Sequence, residues 1–596
     1  MTKLFLFLAL ACLVVAPMAE EIMLSRDAET GLTIVADNLR DRSNASLTLQ
    51  CNIRSFFVEE VENEYGRFTK VEVPGWVSAN KVGEADIPVL NKIVEVPFGG
   101  AVHAQVVSND RAESACEEYG IYSAIYPTQE SVRKDEVATF AYNEEAYKES
   151  YSRADIVEVE EIGIMRGARL VLLKVAPIQY NAADQMLTVN NNVQIELTVD
   201  DVDWTTTEIN KEQYASSYFY AASESIMTPE SLQVTPRADA NYLIIADPMF
   251  KSSAKLAEFA AWKKQLGFNV KLVYTDATGA TNDTLQAYIK AQYKEFKPTF
   301  ALLVGDHGQI PGWYKQFYTD LYYFTVDGTD YIPDIMYGRF SANNEAELIP
   351  QIEKTIAYEK RQFADPAYLN RFALVAGWDA NWAKKRGYPQ IRYAIREYFK
   401  APEYVAAEHG VNVFLSAGSQ QNVNTIFNLV NKGVGFYNYT AHGDKTMFYD
   451  PKFTNDTVDQ LTNKNMYPVV LGNCCLTGSY QIDTCFGEKW LRAKDKGAVC
   501  FIGGSSYTYW DEDLWFGVGA CTITSAINNG EAPAKAETGD GAYEAAVNCM
   551  YNNCNDAVIY AGNLAVQATN SSRKEYYWKV YHLFGDPSVK PAWAHK

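Results

Sequence analysis

Basic charge is scarce in this chain. Its 596 residues hold 53 Lys and Arg against 74 Asp and Glu, a formal net charge of −21, so the basic footprint that nucleic acid requires is missing. Beyond the first 19 residues no stretch is apolar for long enough to span a bilayer, which argues against a membrane span and predicts a soluble mature chain. Neither a C-x-x-C nor an H-E-x-x-H pattern occurs, so the common zinc arrangements are not expected. The acidic balance speaks mainly for a solvated surface, although it also suits basic substrate segments.

What is present begins with an export signal. Residues 1–19, MTKLFLFLALACLVVAPMA, join a Lys, an apolar core and a small-residue end, as a secretory signal peptide does. Cleavage is expected near Ala16 or Ala19, and the mature chain is read as secreted or periplasmic. Of the ten cysteines, Cys12 leaves with that segment; the odd number remaining permits disulfides while leaving at least one free thiol. Cys51 with Cys116, and Cys549 with Cys554, are the pairings considered.

The length calls for two or three domains. From about Glu20 to Thr235 the chain reads as β: LTIVADNLR, ASLTLQCNIRSFFVEEV and ARLVLLKVAPIQY are alternating Val- and Thr-rich runs broken by Asn, Gly and Pro. A β-sandwich or barrel-like domain is expected there. The boundary falls in TPESLQVTPRADANYLII, where Arg237–Ala238 is a natural site for activation cleavage. Beyond it strands alternate with amphipathic helices, as in YLIIADP, SSAKLAEFAAWKKQLG and NVKLVYT, which predicts βαβ units and a mostly parallel sheet. The divisions are a signal over 1–19, a β-rich domain over 20–237 and an α/β domain over 238–596.

Three β-rich runs near Gly433–Trp510 end abruptly in small or polar residues: GVGFYNYTAHGD, PVVLGNCCLTGSY and GAVCFIGGSSYTYWDED. Reactive groups of α/β proteins gather beyond the carboxyl ends of such strands. His442 and Cys475 stand at two of them. A cysteine nucleophile needs a base beside it, and the N–H groups of Gly443 and Cys475 are candidates for holding an oxyanion. Cys474 is an adjacent second thiol; strand alternation points the two side chains to opposite faces, so only one should meet His442.

NYTAHGD and PVVLGNCCLTGSY resemble the His-Gly and Cys motifs of the gingipain family, secreted cysteine endopeptidases of the caspase and legumain clan. The likeness extends through LLVGDHGQIP, DYIPDIMYGRFSANNEAEL, CFGEKWLRAKDKGAV and HLFGDPSVKP, and so covers about Tyr242 to Trp593. It implies a caspase-like fold of two side-by-side, mostly parallel α/β units behind an all-β prodomain. It makes Cys475 the nucleophile, His442 the proton shuttle and Asp379, at the end of RFALVAGWD, the group that holds the imidazole; capping a following helix is the plainer role for that carboxylate. Asp306 and His307 in VGDHG then fall to structure or ion binding. No cofactor is needed for such chemistry, while structural calcium would fit the family.

The resemblance also bears on substrate and control. YTYWDED offers Tyr509 and Trp510 as walls and Asp513 as the anion of a pocket for a basic side chain, and Thr440 likewise matches the lysine-specific branch. The arginine-specific branch has an Asp near the position of Tyr388, so cleavage after Lys is favoured over Arg. Processing at Arg237 would then require either a pocket that admits Arg or a different peptidase. Within the prodomain, IYPTQESVRKDEVATFAYNEEAY carries Arg133 and Lys134, the candidates for a side chain inserted into that pocket. The partners expected are peptide substrates and the chain's own prodomain. Many gingipain-like chains continue into immunoglobulin-like and sorting domains, whereas this one stops at Lys596. Two other readings stand beside the peptidase: a transpeptidase of the same clan, and an inactive secreted binding protein on a peptidase scaffold.

Overall fold

A computed structural model describes residues 19–41, 45–78, 81–148, 155–238, 240–399, 411–415, 420–547 and 553–593. The expected signal peptide, apart from Ala19, and Cys549 lie outside them. The N-terminal domain is built from antiparallel sheets, as its alternating runs predict. In Ser46–Asn52 the residues Leu47, Leu49 and Cys51 point inward and are buried. That strand pairs with the long strand Met186–Val199, which also pairs with Val102–Ala115. A second sheet runs Val77–Ser78, Pro88–Val96, Ala168–Val175, Val157–Met165. Leu47, Leu187 and Ile195 of the first share one core with Val94, Val171 and Leu173 of the second.

One expectation needs correction here. Cys51 and Cys116 are both free thiols buried in that core; each packs as a small apolar group, and burial pushes Cys51 up to about 12 and Cys116 up to about 11. Short helices follow the sheets of this domain. Its end coils into a helix, Trp204–Tyr214, because the Asp203 side chain accepts the Thr206 N–H and caps it, and Thr207, Lys211 and Tyr214 on one face are buried.

With every residue of Phe300–Val304, Phe436–Thr440 and Val469–Asn473 buried, as in a sheet covered on both faces, the C-terminal domain centres on ten strands. In chain order these are β1 (Asn241–Ala246), β2 (Asn269–Tyr274), β3 (Phe300–Val304), β4 (Met336–Phe340), β5 (Phe372–Ala376), β6 (Val411–Leu415), β7 (Phe436–Thr440), β8 (Val469–Asn473), β9 (Cys500–Gly504) and β10 (Tyr581–Phe584). The two expected α/β units share a single ten-stranded sheet, ordered β2-β1-β3-β4-β10-β9-β8-β7-β5-β6. β10 is the seam. It runs parallel to β4, where Arg339 faces Phe584, and antiparallel to β9, where Gly504 faces Tyr581. The two halves therefore point in opposite directions, and the carboxyl ends of β5, β7, β8 and β9 share an edge with the amino ends of β3 and β4. Among the described residues no helix is long and apolar enough to cross a membrane.

Candidate active site

Four strand ends converge on that edge. β5 is followed by Gly377, Trp378 and Asp379, β7 by Ala441 and His442, β8 by Cys474 and Cys475, and β9 by the loop leading to the helix Trp510–Val518. The Asp379 carboxylate does two things. Its Oδ1 accepts the N–H groups of Asn381 (2.8 Å) and Trp382 (2.7 Å), a turn cap, while Oδ2 lies 2.7 Å from His442 Nε2. The two roles weighed for this residue are thus compatible. Partial burial raises its pKa, but the hydrogen bonds from His442, Asn381 and Trp382 outweigh it, leaving the carboxyl below its ordinary value. With Nε2 so engaged, Nδ1 is the ring nitrogen left for a thiol. Trp510 packs edge-on to the imidazole, 5.4 Å between centroids, and stacks on Trp382.

The two thiols part as alternation predicts. Cys474 Sγ turns into the core beside Thr477, among Tyr437, Tyr439 and Phe448. Cys475 Sγ faces Thr508 instead, accepting its N–H at 3.3 Å with the Thr508 hydroxyl at 3.8 Å. Burial pushes the Cys475 thiol up to about 11, against the lowering influence of the Lys134 ammonium and the Thr508 N–H. The turn after it is sharp: Leu476 takes a φ of +63°, and its N–H bonds Ser506 O at 2.9 Å. Gly443 is held against this turn, where an added Cβ would lie 2.6 Å from both Cys474 Sγ and Cys475 O. Only glycine allows so close a pass of the backbone by the thiol.

Beside Cys475 lies a pocket, and it is filled. Lys134 of the N-terminal domain enters it with its side chain fully buried, its Nζ 2.6 Å from Asp513 Oδ2 and 2.8 Å from Asn473 O, and 4.8 Å from the centre of the Trp510 ring. The segment carrying it adds to the edge of the site: Lys134 N donates to Thr508 O (2.9 Å), and Trp510 N donates to Val132 O (3.0 Å). Of the two inhibitory candidates Lys134 is the inserted one. Arg133 points outward over Tyr507 and pairs with Asp135 and Glu136.

The expected pocket residues divide. Trp510 and Asp513 form it as read from the sequence. Tyr509 does not wall the cavity: its ring turns toward Tyr576 and Arg573, and it meets the inserted segment through a backbone bridge with Arg133. Thr440 acts at one remove, donating to Asn473 Oδ1, the residue whose carbonyl receives the Lys134 ammonium. Tyr388 brings no carboxylate and packs against the core. Sequence reasoning missed the floor, where Asp513 Oδ1 accepts the hydroxyls of Tyr577 (2.9 Å) and Tyr581 (2.7 Å) and Oδ2 that of Thr508 (2.7 Å). The run YYWKVYH, dense in tyrosine, was the available signal.

Arg237 and Ala238 are exposed, and the Arg237 backbone is paired with Ala215 O and Ser217 N. Asp306 and His307 end β3, on the sheet edge opposite His442. Asp306 pairs with Arg492 (2.8 Å), and His307 Nδ1 accepts the Gly312 N–H, so both are spent on structure. Among the described residues no three His, Cys, Asp or Glu side chains gather as round a metal ion. The acidic loop 327–334 turns Asp330 and Asp334 onto backbone N–H groups. The calcium implied by the resemblance therefore finds no fitting side-chain cluster there, and no step is derived through it.

A thiol, an imidazole and a carboxylate on adjacent strand ends, with a cation-accepting slot beside the thiol, define a cysteine-peptidase site. The profile of peptidase family C25 matches residues 235–592 and that of the C25 propeptide residues 37–219, so the chain belongs to peptidase family C25. It is 34% identical over 619 residues to "Lys-gingipain HG66" of Porphyromonas gingivalis, an alignment covering 99% of this chain and 34% of that protein. The chain thus spans about a third of the length of its Lys-gingipain relatives. Gingipain R2 of the same organism is 23% identical over 449 residues, 73% of this chain and 60% of that one. A solved structure described as "Structure of Protease" superposes with a TM-score of 0.55 at 35% identity, over 60% of this chain and 79% of that one.

Proposed function

We propose that this chain is the zymogen of a secreted cysteine endopeptidase that cleaves after lysine. The observation that carries the reading is Lys134, a buried cation held by Asp513 on a strand-like segment lying across the site as a substrate would. The pocket suits an ammonium. One carboxylate oxygen, one carbonyl and one ring face satisfy three N–H donors, whereas a guanidinium is planar and longer and presents five.

In the processed enzyme a substrate lysine takes the place of Lys134, and the bond after it lies beside Cys475. His442 Nδ1 accepts the thiol proton as Sγ attacks the carbonyl carbon, and Asp379 holds the ring and stabilises the imidazolium. The N–H groups of Gly443 and Cys475 take the oxyanion. His442 returns the proton to the leaving amine, a thioester remains, and water activated by the same imidazole hydrolyses it. Release of the prodomain, with a cut at Arg237–Ala238, precedes this. A lysine-selective pocket gives that cut to another peptidase.

The test incubates processed enzyme with paired reporter peptides ending in Lys, Arg or Asn and sequences its new N-terminus. Cleavage after Lys, with maturation near Ala238, is expected. Equal turnover after Arg would refute the pocket assignment, and no turnover of any peptide after prodomain removal would refute the peptidase reading.

A further inference from the structure

Among the described residues, two prodomain cations are buried against the catalytic domain, and Lys134 is one. The other is Arg166. It lies in the two-residue turn, Arg166–Gly167, that joins the strands Val157–Met165 and Ala168–Val175, and both turn residues have positive φ, +51° and +77°. Such turns favour Asn, Asp or Gly at their first position, because a β-carbon is strained there. An arginine in that place is costly, and its side chain explains its presence. The guanidinium enters a notch made largely of main-chain oxygens of the catalytic domain: Nη1 donates to Pro298 O and Asp334 O (3.4 Å), and Nη2 to Lys297 O and Thr299 Oγ1 (both 3.2 Å), while Nε is steadied from the prodomain side by Tyr214 O (3.2 Å). The rings of Tyr214, Phe219 and Tyr293 stand 5.5–5.7 Å from it. The adjoining backbone docks too, Arg166 N on Asp334 Oδ1 (3.1 Å) and Ile164 N on Asp330 Oδ2 (3.0 Å).

Residues 297–299 and Asp334 precede β3 and β4. Their notch therefore opens on the same sheet edge as the lysine pocket, three strands from β8, on the order of 15 Å at ordinary strand spacing. We propose that this notch is a guanidinium-binding exosite of the catalytic domain whose occupant is the prodomain hairpin carrying Arg166. It holds the prodomain in place after the linker is cut, separately from the blocking of the pocket by Lys134. This rests on the zymogen reading above. Two rigidly linked cations on one inhibitor each raise the effective concentration of the other, so retention draws on both sites, whereas blockage of the pocket depends on Lys134.

The test uses the full chain with a specific endopeptidase site inserted after Gln233, in the exposed linker. In a Cys475→Ala background the linker is cut, and loss of the prodomain is followed by size exclusion. In chains with Cys475 intact and uncut, pocket blockage is read as the rate of Cys475 labelling by a lysyl electrophile. Arg166→Ala should speed dissociation at least ~30-fold, the lower range for truncating a buried hydrogen-bonded charge, and leave labelling of the uncut chain unchanged. Lys134→Ala should instead speed labelling of the uncut chain. Gly163→Ala keeps the arginine but would set a Cβ 2.3 Å from the Asp330 carboxyl carbon, and it should also speed dissociation. Equal retention by Arg166→Ala and the parent would overturn the exosite. So would labelling of the uncut Arg166→Ala chain as fast as that of Lys134→Ala, which would mean that Arg166 merely holds the prodomain fold. Failure of Lys134→Ala to open the pocket would instead count against the zymogen reading.

Discussion

Asp513→Asn removes one negative charge from the pocket floor at constant size. In the parent, Oδ1 takes the Tyr577 and Tyr581 hydroxyls, while Oδ2 takes the Thr508 hydroxyl and the lysine ammonium at 2.6 Å. In the variant the two tyrosine hydroxyls can rotate to accept from the new amide, leaving its oxygen toward the lysine, so the loss is chiefly of charge. Breaking a buried ion pair by removing one partner costs about 3–5 kcal/mol. Here Asn473 O and the Trp510 face still hold the ammonium, so about 3 kcal/mol is expected. That is a fall of roughly a hundredfold in kcat/KM for a lysyl peptide. The pocket holds the side chain alike before and during reaction, so the fall should sit mainly in KM. An arginyl peptide, poorly served from the start, should change little. Initial rates on a matched pair of lysyl and arginyl reporters decide it: a loss below about threefold for Lys, or an equal loss for Arg, would refute the assignment of Asp513.

Cys475→Ala should abolish activity, whereas Cys474→Ala should keep most of it and lose roughly 1 kcal/mol of stability for the vacated core volume, read by activity and thermal unfolding. Asp379→Asn can keep its cap on Asn381 and Trp382 but presents an amide donor to His442 Nε2, forcing the wrong tautomer; kcat should fall roughly 100-fold or more with little change in Tm. Because the Asp379 carboxyl lies below its ordinary value, its contribution to stability is present above the unfolded pKa and lost only as pH falls through the lower folded value. The His442–Asp379 pairing should therefore survive below the pH at which an ordinary aspartate protonates, as a titration followed by NMR would report. Glu512 carries the opposite sign. Burial first, then Asp511, push it up to about 7 while it meets Ser131 of the prodomain. The complex keeps a proton that a re-exposed Glu512 would release, so prodomain retention should tighten as pH falls from 7 toward 5, by at most about tenfold per unit. Glu512→Gln should flatten that profile.

The candidate catalytic residues were legible because each sits at a strand end, where an all-apolar run gives way to small polar residues within two or three positions. Trp510 and Asp513 were legible for the same reason, lying on the first turn of the helix after β9. The floor of the pocket was not: Tyr581 lies 68 positions beyond Asp513 and reaches it only because β10 is placed against β9. No local pattern announces a seam strand, so sequence does not tell that the two units share one sheet. The choice between Arg133 and Lys134 was equally closed to sequence, because one residue of register decides which of two neighbours faces inward. The helix Trp204–Tyr214 was hidden by Thr-rich composition and stands on the Asp203 cap and a buried face.

β10 has a further consequence, in the order of synthesis. The chain emerges from its N-terminus, and domains fold as they emerge, so the prodomain, with Lys134 and Arg166, is made before any part of the pocket. The strand that joins the two halves and brings Tyr581 beneath Asp513 is made after every other strand of the sheet. The lysine slot is thus completed in the presence of the segment that fills it, and no interval exists in which a finished pocket stands open on the nascent molecule.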